Sequence, residues 1–322
     1  MQLEEIAKQL VASEKGILAA DESTGTIEKR LASINVTSTE ATRKAWRSLL
    51  FTTEGMEQFV SGVILYDETL RMGLGKLLSD KGVLPGIKVD MGAKDLAGFP
   101  GEKITEGLDK LRERLAEYVE MGAKFTKWRA VITIGENMPT EQCIDANAHA
   151  LARYAALAQE AGLVPIVEPE VLMDGGHTIE RCREVTEQTL TSVFGELRKY
   201  KVHLPGMLLK PNMVISGKES STQASSQEIA QVTVELFRQV VPAEVPGIVF
   251  LSGGQTPDQA TENLNDINKV AGSPWQLSYS YGRALQDEAL KTWMGKEESV
   301  AAAQQAFIVR AEKVSKARMG KG

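Results

Sequence analysis

The chain has 322 residues, 43% of them hydrophobic, and a formal net charge of −6. That length suits either two medium domains or one large α/β domain with a sizeable core. The acidic balance argues against a nucleic-acid binder, and no apolar run approaches the ~18 residues of a membrane span. Glu4 and Glu5 stand where a secretory signal wants basic charge. The two cysteines, Cys143 and Cys182, lack metal spacing and read as reduced structural thiols. The expectation is a cytoplasmic protein with neither nucleic-acid nor membrane partners.

Taken in order, residues 2–14 place Leu3, Ile6, Ala7, Leu10 and Val11 at helical spacing before Gly16. A first strand at 17–23 (ILAADES) runs into acidic and hydroxyl residues. A helix is expected over 37–59, with Trp46, Leu49, Leu50 and Phe59 towards the core. Strands follow at 62–69 (GVILYDET) and 85–92 (PGIKVDMG), then a helix at 102–121 and a fourth strand within 123–134 (AKFTKWRAVITI). The helix predicted over 139–161 has proline near its start, where a missing N–H costs least. A fifth strand lies at 164–172 (VPIVEPEVL), a helix at 177–200 and a sixth strand at 207–214 (MLLKPNMV). Residues 216–226, rich in Ser, Gly and Thr, read as a mobile loop before a helix at 227–240. Strands seven and eight, 247–254 (GIVFLSGG) and 275–282 (WQLSYSYG), flank a helix at 258–270. The remainder is helical and increasingly basic; Arg310, Lys313, Lys316 and Arg318 read as a solvated face that favours the helix dipole.

Eight strands alternating with helices, with no linker between them, predict an α/β fold: a single (β/α)8 TIM barrel. The domain would span 1–322, with an N-terminal helix over about 1–15 and a C-terminal helical segment over about 296–322. The alternative, a doubly wound open sheet, usually carries a glycine fingerprint after its first strand. Here Asp21-Glu22-Ser23-Thr24-Gly25 follows instead.

Strands of a parallel barrel are covered on both faces and should be almost wholly apolar. These carry Asp21, Lys88, Asp90, Lys127, Arg129, Glu168, Glu170 and Lys210. Residues two apart share a face, so Lys88/Asp90, Lys127/Arg129 and Glu168/Glu170 can each point inward at the C-terminal rim, where barrel enzymes keep their chemistry. A purely structural network would bury many charges at considerable cost. Lys210 is the one polar residue in its apolar run before Pro211-Asn212. Burial and a second ammonium nearby disfavour its protonated form, and a neutral lysine can form a Schiff base with a carbonyl. Lys127, Glu168 and Lys210 lie on neighbouring strands. Glu168 can move protons as carbinolamine forms and dehydrates, and Asp21, across the barrel, can take a hydroxyl proton. Together these describe retro-aldol cleavage. Ser252-Gly253-Gly254-Gln255 and Ser280-Tyr281-Gly282-Arg283 end strands seven and eight, the usual phosphate site of the fold.

Other motifs carry less. Ser216-Gly217-Lys218-Glu219-Ser220 lacks the first glycine of a P-loop and the hydroxyl residue after its lysine. Gly73-Leu74-Gly75 lacks a third glycine, and His149, His177 and His203 share no metal spacing, so a zinc-dependent mechanism is not expected.

The motifs LAADES, GIKVDMG, KFTKWR, IVEPEVL, LLKPNMV, FLSGGQ and SYGRAL, in this order over roughly 15–300, closely resemble class I (Schiff-base) fructose-bisphosphate aldolase. The resemblance implies a metal-independent, cofactor-free and usually tetrameric barrel lyase. It would cleave fructose 1,6-bisphosphate to dihydroxyacetone phosphate and glyceraldehyde 3-phosphate. It makes Lys210 the Schiff-base lysine, Glu168 the general acid/base with Glu170 and Lys127 as electrostatic partners, and Asp21 the residue handling the C4 hydroxyl. Arg129 and Lys88 would line the cleft. Ser252, Gly253, Gly282 and Arg283 would hold the C1 phosphate, with Ser280 of the strand-eight motif a further phosphate-binding candidate, and Ser23 the other phosphate, with Thr26 in place of its partner serine. Animal members end in a tail whose terminal tyrosine assists proton exchange; this sequence ends Ala317-Arg318-Met319-Gly320-Lys321-Gly322, so another group or solvent is expected there. Two other readings fit the residues less well. A transaldolase-like lyase would make Lys127 the nucleophile, and a non-catalytic sugar-phosphate binder would not need a depressed-pKa amine.

Overall fold

The computed structural model describes residues 2–270 and 272–322. In chain order its strands are β1 (Gly16–Ala20), β2 (Val60–Leu65), β3 (Leu84–Lys88), β4 (Ala93–Asp95), β5 (Lys103–Thr105), β6 (Phe125–Ile132), β7 (Val164–Val171), β8 (Leu208–Leu209), β9 (Gly247–Phe250) and β10 (Gln276–Tyr281). β4 and β5 form a separate antiparallel pair. The other eight close into a barrel in the order β1-β10-β9-β8-β7-β6-β3-β2, every pair parallel. With helices packed around it, this is the TIM barrel expected of the sequence.

The two-residue period sorts each strand between two cores. Ile17, Ala19, Ile64, Phe125, Val164, Ile166, Leu208 and Val249 face the barrel interior, where Ile6, Ala7, Leu10 and Val11 of the N-terminal helix segment join them. Their neighbours Leu18, Val63, Ile87, Trp128, Val167, Leu209 and Phe250 face outward into the larger core under the helices. Trp128, for example, stacks on Tyr154 of the helix Glu141–Glu160 at 5.5 Å. The N-terminal end of the barrel is therefore an apolar plug. Following the same inward-facing positions toward the other end changes their chemistry: Phe125 is succeeded by Lys127 and Arg129, Ile166 by Glu168 and Glu170, and Leu208 by Lys210.

Several expected elements differ in extent. The strand ends at 17–23 and 62–69 stop at Ala20 and Leu65 because Ser23 and Tyr66 cap short helices that begin at Thr24 and Asp67. The helix over 37–59 occupies Glu40–Thr52. The helix over 102–121 begins only at Leu111; Lys103–Thr105 instead pairs with β4. Glu102 is drawn off by Thr140, whose N–H and hydroxyl both donate to its carboxylate at 2.7 Å, and Gly107 turns the chain at φ 128°. Pro139 is not in the first turn of its helix. It precedes Thr140, whose hydroxyl accepts the N–H of Cys143 as N-cap. β8 is short, but the Lys210 N–H still donates to Val167 O at 2.8 Å, so the lysine continues the ladder.

Two expectations are corrected outright. The loop at 216–226 is tethered: Gly217, Lys218 and Glu219 donate their N–H groups to His177, Met173 and Gly175, and the Gln223 amide donates to Gly217 O and Ser220 O. The basic C-terminal residues are not all solvated. Arg310 is 2% exposed and donates to Ala284 O, Asp258 and Thr261. Arg318, 3% exposed, donates to Val11 O and Ala12 O, so it satisfies carbonyls where the N-terminal helix ends. Lys313 and Lys316 remain open to solvent, paired with Asp258 and Glu312.

Phe125 fills the plug only because the neighbouring inner positions are bare. A Cβ built on Gly86 would lie 2.3 Å from its ring, and one on Gly62 2.9 Å. Gly86→Ala is therefore expected to destabilise the fold by about 1–3 kcal/mol through overpacking, measured by urea denaturation. Unchanged stability would mean that the Phe125 ring has room to move.

Candidate active site

At the C-terminal mouth the inward-facing charges meet. Lys127 Nζ, on β6, lies 2.6 Å from Asp21 Oδ2, which reaches across the barrel from the end of β1, and 3.2 Å from Glu168 Oε2 on β7. Glu168 Oε1 lies 3.1 Å from Lys210 Nζ. The result is a buried chain, Asp21–Lys127–Glu168–Lys210, in which charges alternate. Lys127, Glu168 and Lys210 are 3–4% exposed. A second ring surrounds it. Lys88 donates to Asp90 and Arg129 to Glu170, while Arg129 stays 43% exposed in the open cleft. Four carboxylates (Asp21, Asp90, Glu168, Glu170) thus face four cations (Lys88, Lys127, Arg129, Lys210) around one cavity.

Burial alone would drive Asp21, Glu168 and Lys127 toward neutrality; their partners reverse that. Burial acts to raise the Asp21 pKa, but Lys127, and then Lys210, outweigh it and hold it at about 2. Glu168 is likewise held below the ordinary carboxylate range, burial being overcome by Lys127 and Lys210. Burial opposes the charge of Lys127, yet Asp21 and Glu168 raise its pKa. Both carboxylates therefore favour the charged form of Lys127. Glu168 Oε2 is buried and accepts no hydrogen bond among the described residues; its contact there is the ion pair with Lys127.

Supporting residues hold the ring. Asp90 accepts the N–H groups of Gly92 and Arg129, so it pins the end of β3 to β6. Asn212 accepts the N–H of Val171 at 3.0 Å and donates to Thr186, fixing the turn after Lys210 against β7. Arg47, 3% exposed, donates to Ala20 O and Glu22 and so anchors the segment bearing Asp21. Arg30 binds Glu22 and also reaches Gln286 and Asp287. These anchors were not expected from the sequence.

The cavity, about 1140 Å³, extends well beyond the ring. On one side lie Ser23 and Thr26, their hydroxyls 3.1 Å apart. Ser23 precedes the helix Thr24–Ala32 without capping it by its side chain. The ends of β9 and β10, the latter next to β1, add Ser252 and Gly253, then Ser280, Gly282 and Arg283. Gly253 and Gly254 have φ of 55° and 87°, a turn that side chains other than glycine rarely adopt. Gly282 starts the helix Arg283–Trp293 without a side-chain cap, and Ser280 Oγ is buried without a partner among the described residues. Two helix N-termini with free N–H groups open on one cavity, a setting that attracts anions. All fourteen site residues expected from the sequence line this cavity; Lys29, Arg30, Lys218 and Lys291 line it as well. Lys29 and Arg30 follow Thr26 at helical spacing, a signal that could have included them. His149 stacks edge-on with Tyr200 and His203 pairs with Glu4, both outside the site. Among the described residues no group of three or more His, Cys, Asp or Glu is placed to hold a metal ion.

A closed parallel barrel with a buried lysine–carboxylate chain and two anion-attracting ends at its C-terminal mouth defines a TIM-barrel enzyme site. The family model for fructose-bisphosphate aldolase class-I matches residues 2–322. A probable fructose-bisphosphate aldolase class 1 of Xanthomonas campestris is 54% identical, covering 99% of this chain and 98% of the relative. Cytosolic fructose-bisphosphate aldolase 4 of Arabidopsis thaliana is 55% identical over 95% of this chain and 80% of its own. The solved structure of Plasmodium falciparum fructose-bisphosphate aldolase superposes with a TM-score of 0.97 at 47% identity, covering 99% of this chain and 94% of that one. The chain belongs to the class-I fructose-bisphosphate aldolase family, and its activity is that of the family, a lyase acting on fructose bisphosphate.

The depressed Asp21 pKa has a stability consequence. Its share is complete above the ordinary value of 3.8 and is lost as pH falls through about 2. Asp21→Asn should therefore cost about 2 kcal/mol at pH 7, with the gap to wild type narrowing below pH ~4. Urea denaturation from pH 7 to pH 3 measures this; a gap independent of pH would show that Lys127 does not stabilise the Asp21 carboxylate.

Proposed function

We propose that Lys210 is the Schiff-base lysine and that Glu168 is its proton carrier. The observation that carries this reading is the 3.1 Å approach of Lys210 Nζ to Glu168 Oε1 at the buried end of a chain of alternating charges. A proton leaving Lys210 has an acceptor already in place. The neutral amine attacks the C2 carbonyl of the open-chain ketose, and the carbinolamine loses its hydroxyl as water with a proton returned by Glu168. The resulting iminium draws the electrons of the C3–C4 bond. Loss of the C4 hydroxyl proton then releases glyceraldehyde 3-phosphate and leaves an enamine on Lys210. Protonation at C3 and hydrolysis of the iminium free dihydroxyacetone phosphate and regenerate the amine.

Asp21 is proposed to take the C4 hydroxyl proton. A carboxylate held near pH 2 is a poor base in the empty cleft, so this role requires the substrate hydroxyl to intervene between Asp21 and Lys127. Weakening that contact raises the basicity of Asp21 when it is needed. Lys127 supplies fixed positive charge, and Glu170 and Arg129 hold the opposite wall. The C1 phosphate is assigned to Ser252, Gly253, Ser280, Gly282 and Arg283, and the other phosphate to Ser23 and Thr26, with Lys88 lining the cleft between. Family resemblance supports a metal-free mechanism, a homotetramer and a cytoplasmic location, the last consistent with the cytosolic Arabidopsis relative. The chain is proposed to act as one domain over 1–322.

Lys210→Met keeps chain length and packing while deleting the amine. Cleavage of fructose 1,6-bisphosphate should fall by roughly 10⁴–10⁶-fold while the protein still folds, whereas Lys127→Met should lose about 10²–10³-fold. Comparable losses in both variants would separate Lys210 from the role of nucleophile. Activity should survive dialysis against EDTA; activity lost there and restored by zinc would contradict the metal-free route.

A further inference from the structure

The inner ring is balanced in charge, so it has no cation to spare for a phosphate dianion. Those charges must come from the outer cavity. Lys218 lies there, in a segment that resembles a P-loop too poorly to act as one. Its backbone is fixed: the Gly217 N–H donates to His177 O at 2.9 Å, Lys218 to Met173 O at 2.8 Å and Glu219 to Gly175 O at 3.0 Å. Its ammonium covers the glycine turn that follows β9, since a Cβ added to Gly254 would fall 2.7 Å from Lys218 Nζ. Lys218 also pairs with Asp174 at 3.1 Å, and the two side chains are 43% and 64% exposed. So open a pair holds weakly and can be exchanged for a better anion. A phosphate in the turn, with charge near −2 and three acceptor oxygens, is such an anion.

We propose that Lys218 is a substrate-contacting residue that leaves Asp174 to bind the phosphate seated at residues 252–254, Asp174 holding it in place while the cleft is empty. The proposal rests on the assignment of that turn to the C1 phosphate and extends it to a lysine from the preceding βα loop. Because the C1 phosphate is common to fructose 1-phosphate and fructose 1,6-bisphosphate, Lys218 would strengthen binding of both alike and would not select between them.

The test is steady-state kinetics of Lys218→Met, Lys218→Arg, Asp174→Asn and Arg283→Ala with both ketose phosphates. Lys218→Met should raise KM for each by a similar factor, about 3- to 10-fold, with kcat moving less. Lys218→Arg should recover most of the loss, and Asp174→Asn should lower KM by freeing the lysine. An unchanged KM in Lys218→Met, or a rise confined to the bisphosphate, overturns the proposal. So does an Asp174→Asn variant that matches Lys218→Met, because the pair would then merely hold the loop. If Arg283→Ala raises KM and Lys218→Met does not, only the assignment of Lys218 falls; if neither raises it, the phosphate site at these loops falls with it.

Discussion

The contact on which the site depends is the one between Lys127 and its two carboxylates. Asp21 and Glu168 come from strands on different sides of the barrel, and each would be pushed toward neutrality by burial. Lys127, at 2.6 and 3.2 Å from them, keeps both ionised. Glu168 can then face Lys210 as a ready acceptor rather than as a neutral acid. Without this shared cation the inner chain would hold two buried carboxylates, Asp21 and Glu168, against one lysine, Lys210, an arrangement the low-dielectric interior penalises heavily. The same contact ties the base of the proposed C–C cleavage step to the acid/base of the imine steps.

The barrel makes that contact possible by dividing its interior. The N-terminal end is filled by Phe125, Ile166, Leu208 and, from the end of the N-terminal helix and the turn after it, Leu10 and Val11, so it supplies apolar burial and rigidity. The C-terminal end, one or two residues further along the same strands, carries the charges. Because the side-chain period is two, an inward-facing apolar residue is followed two positions on by another inward-facing residue. Lys127 therefore points where Phe125 points, and Glu168 where Ile166 points. Outside this ring, the helices that start at Thr24 and Arg283 both open on the cavity, a setting suited to a substrate that carries phosphates.

Much of this was legible because a parallel barrel strand has a strict expectation that charge violates. Lys127, Arg129, Glu168, Glu170 and Lys210 stood out against β-branched and aliphatic neighbours, and their spacing told which way they pointed. The family resemblance added roles that spacing could not supply. Helices and loops carry no such expectation, so nothing in the sequence singled out Lys29 or Arg47, and Lys218 stood only in an incomplete P-loop motif. What distinguishes them is contact with residues distant in sequence, as when Arg47 anchors the segment after β1 or Lys218 covers Gly254. Arg310 and Arg318 were misread for a related reason. Their partners are backbone carbonyls and side chains of elements distant in sequence, and such contacts leave no mark in a sequence. The β4–β5 hairpin was missed because three-residue strands are too short for a period to show.

The central claim is that Lys210, and no other amine in the cleft, carries the substrate. It is tested most directly by incubating the protein with fructose 1,6-bisphosphate, reducing with borohydride and mapping the modified peptide by mass spectrometry. A single stable adduct on Lys210 is the result the account predicts. An adduct on Lys127, or continued cleavage with no adduct anywhere, would contradict it.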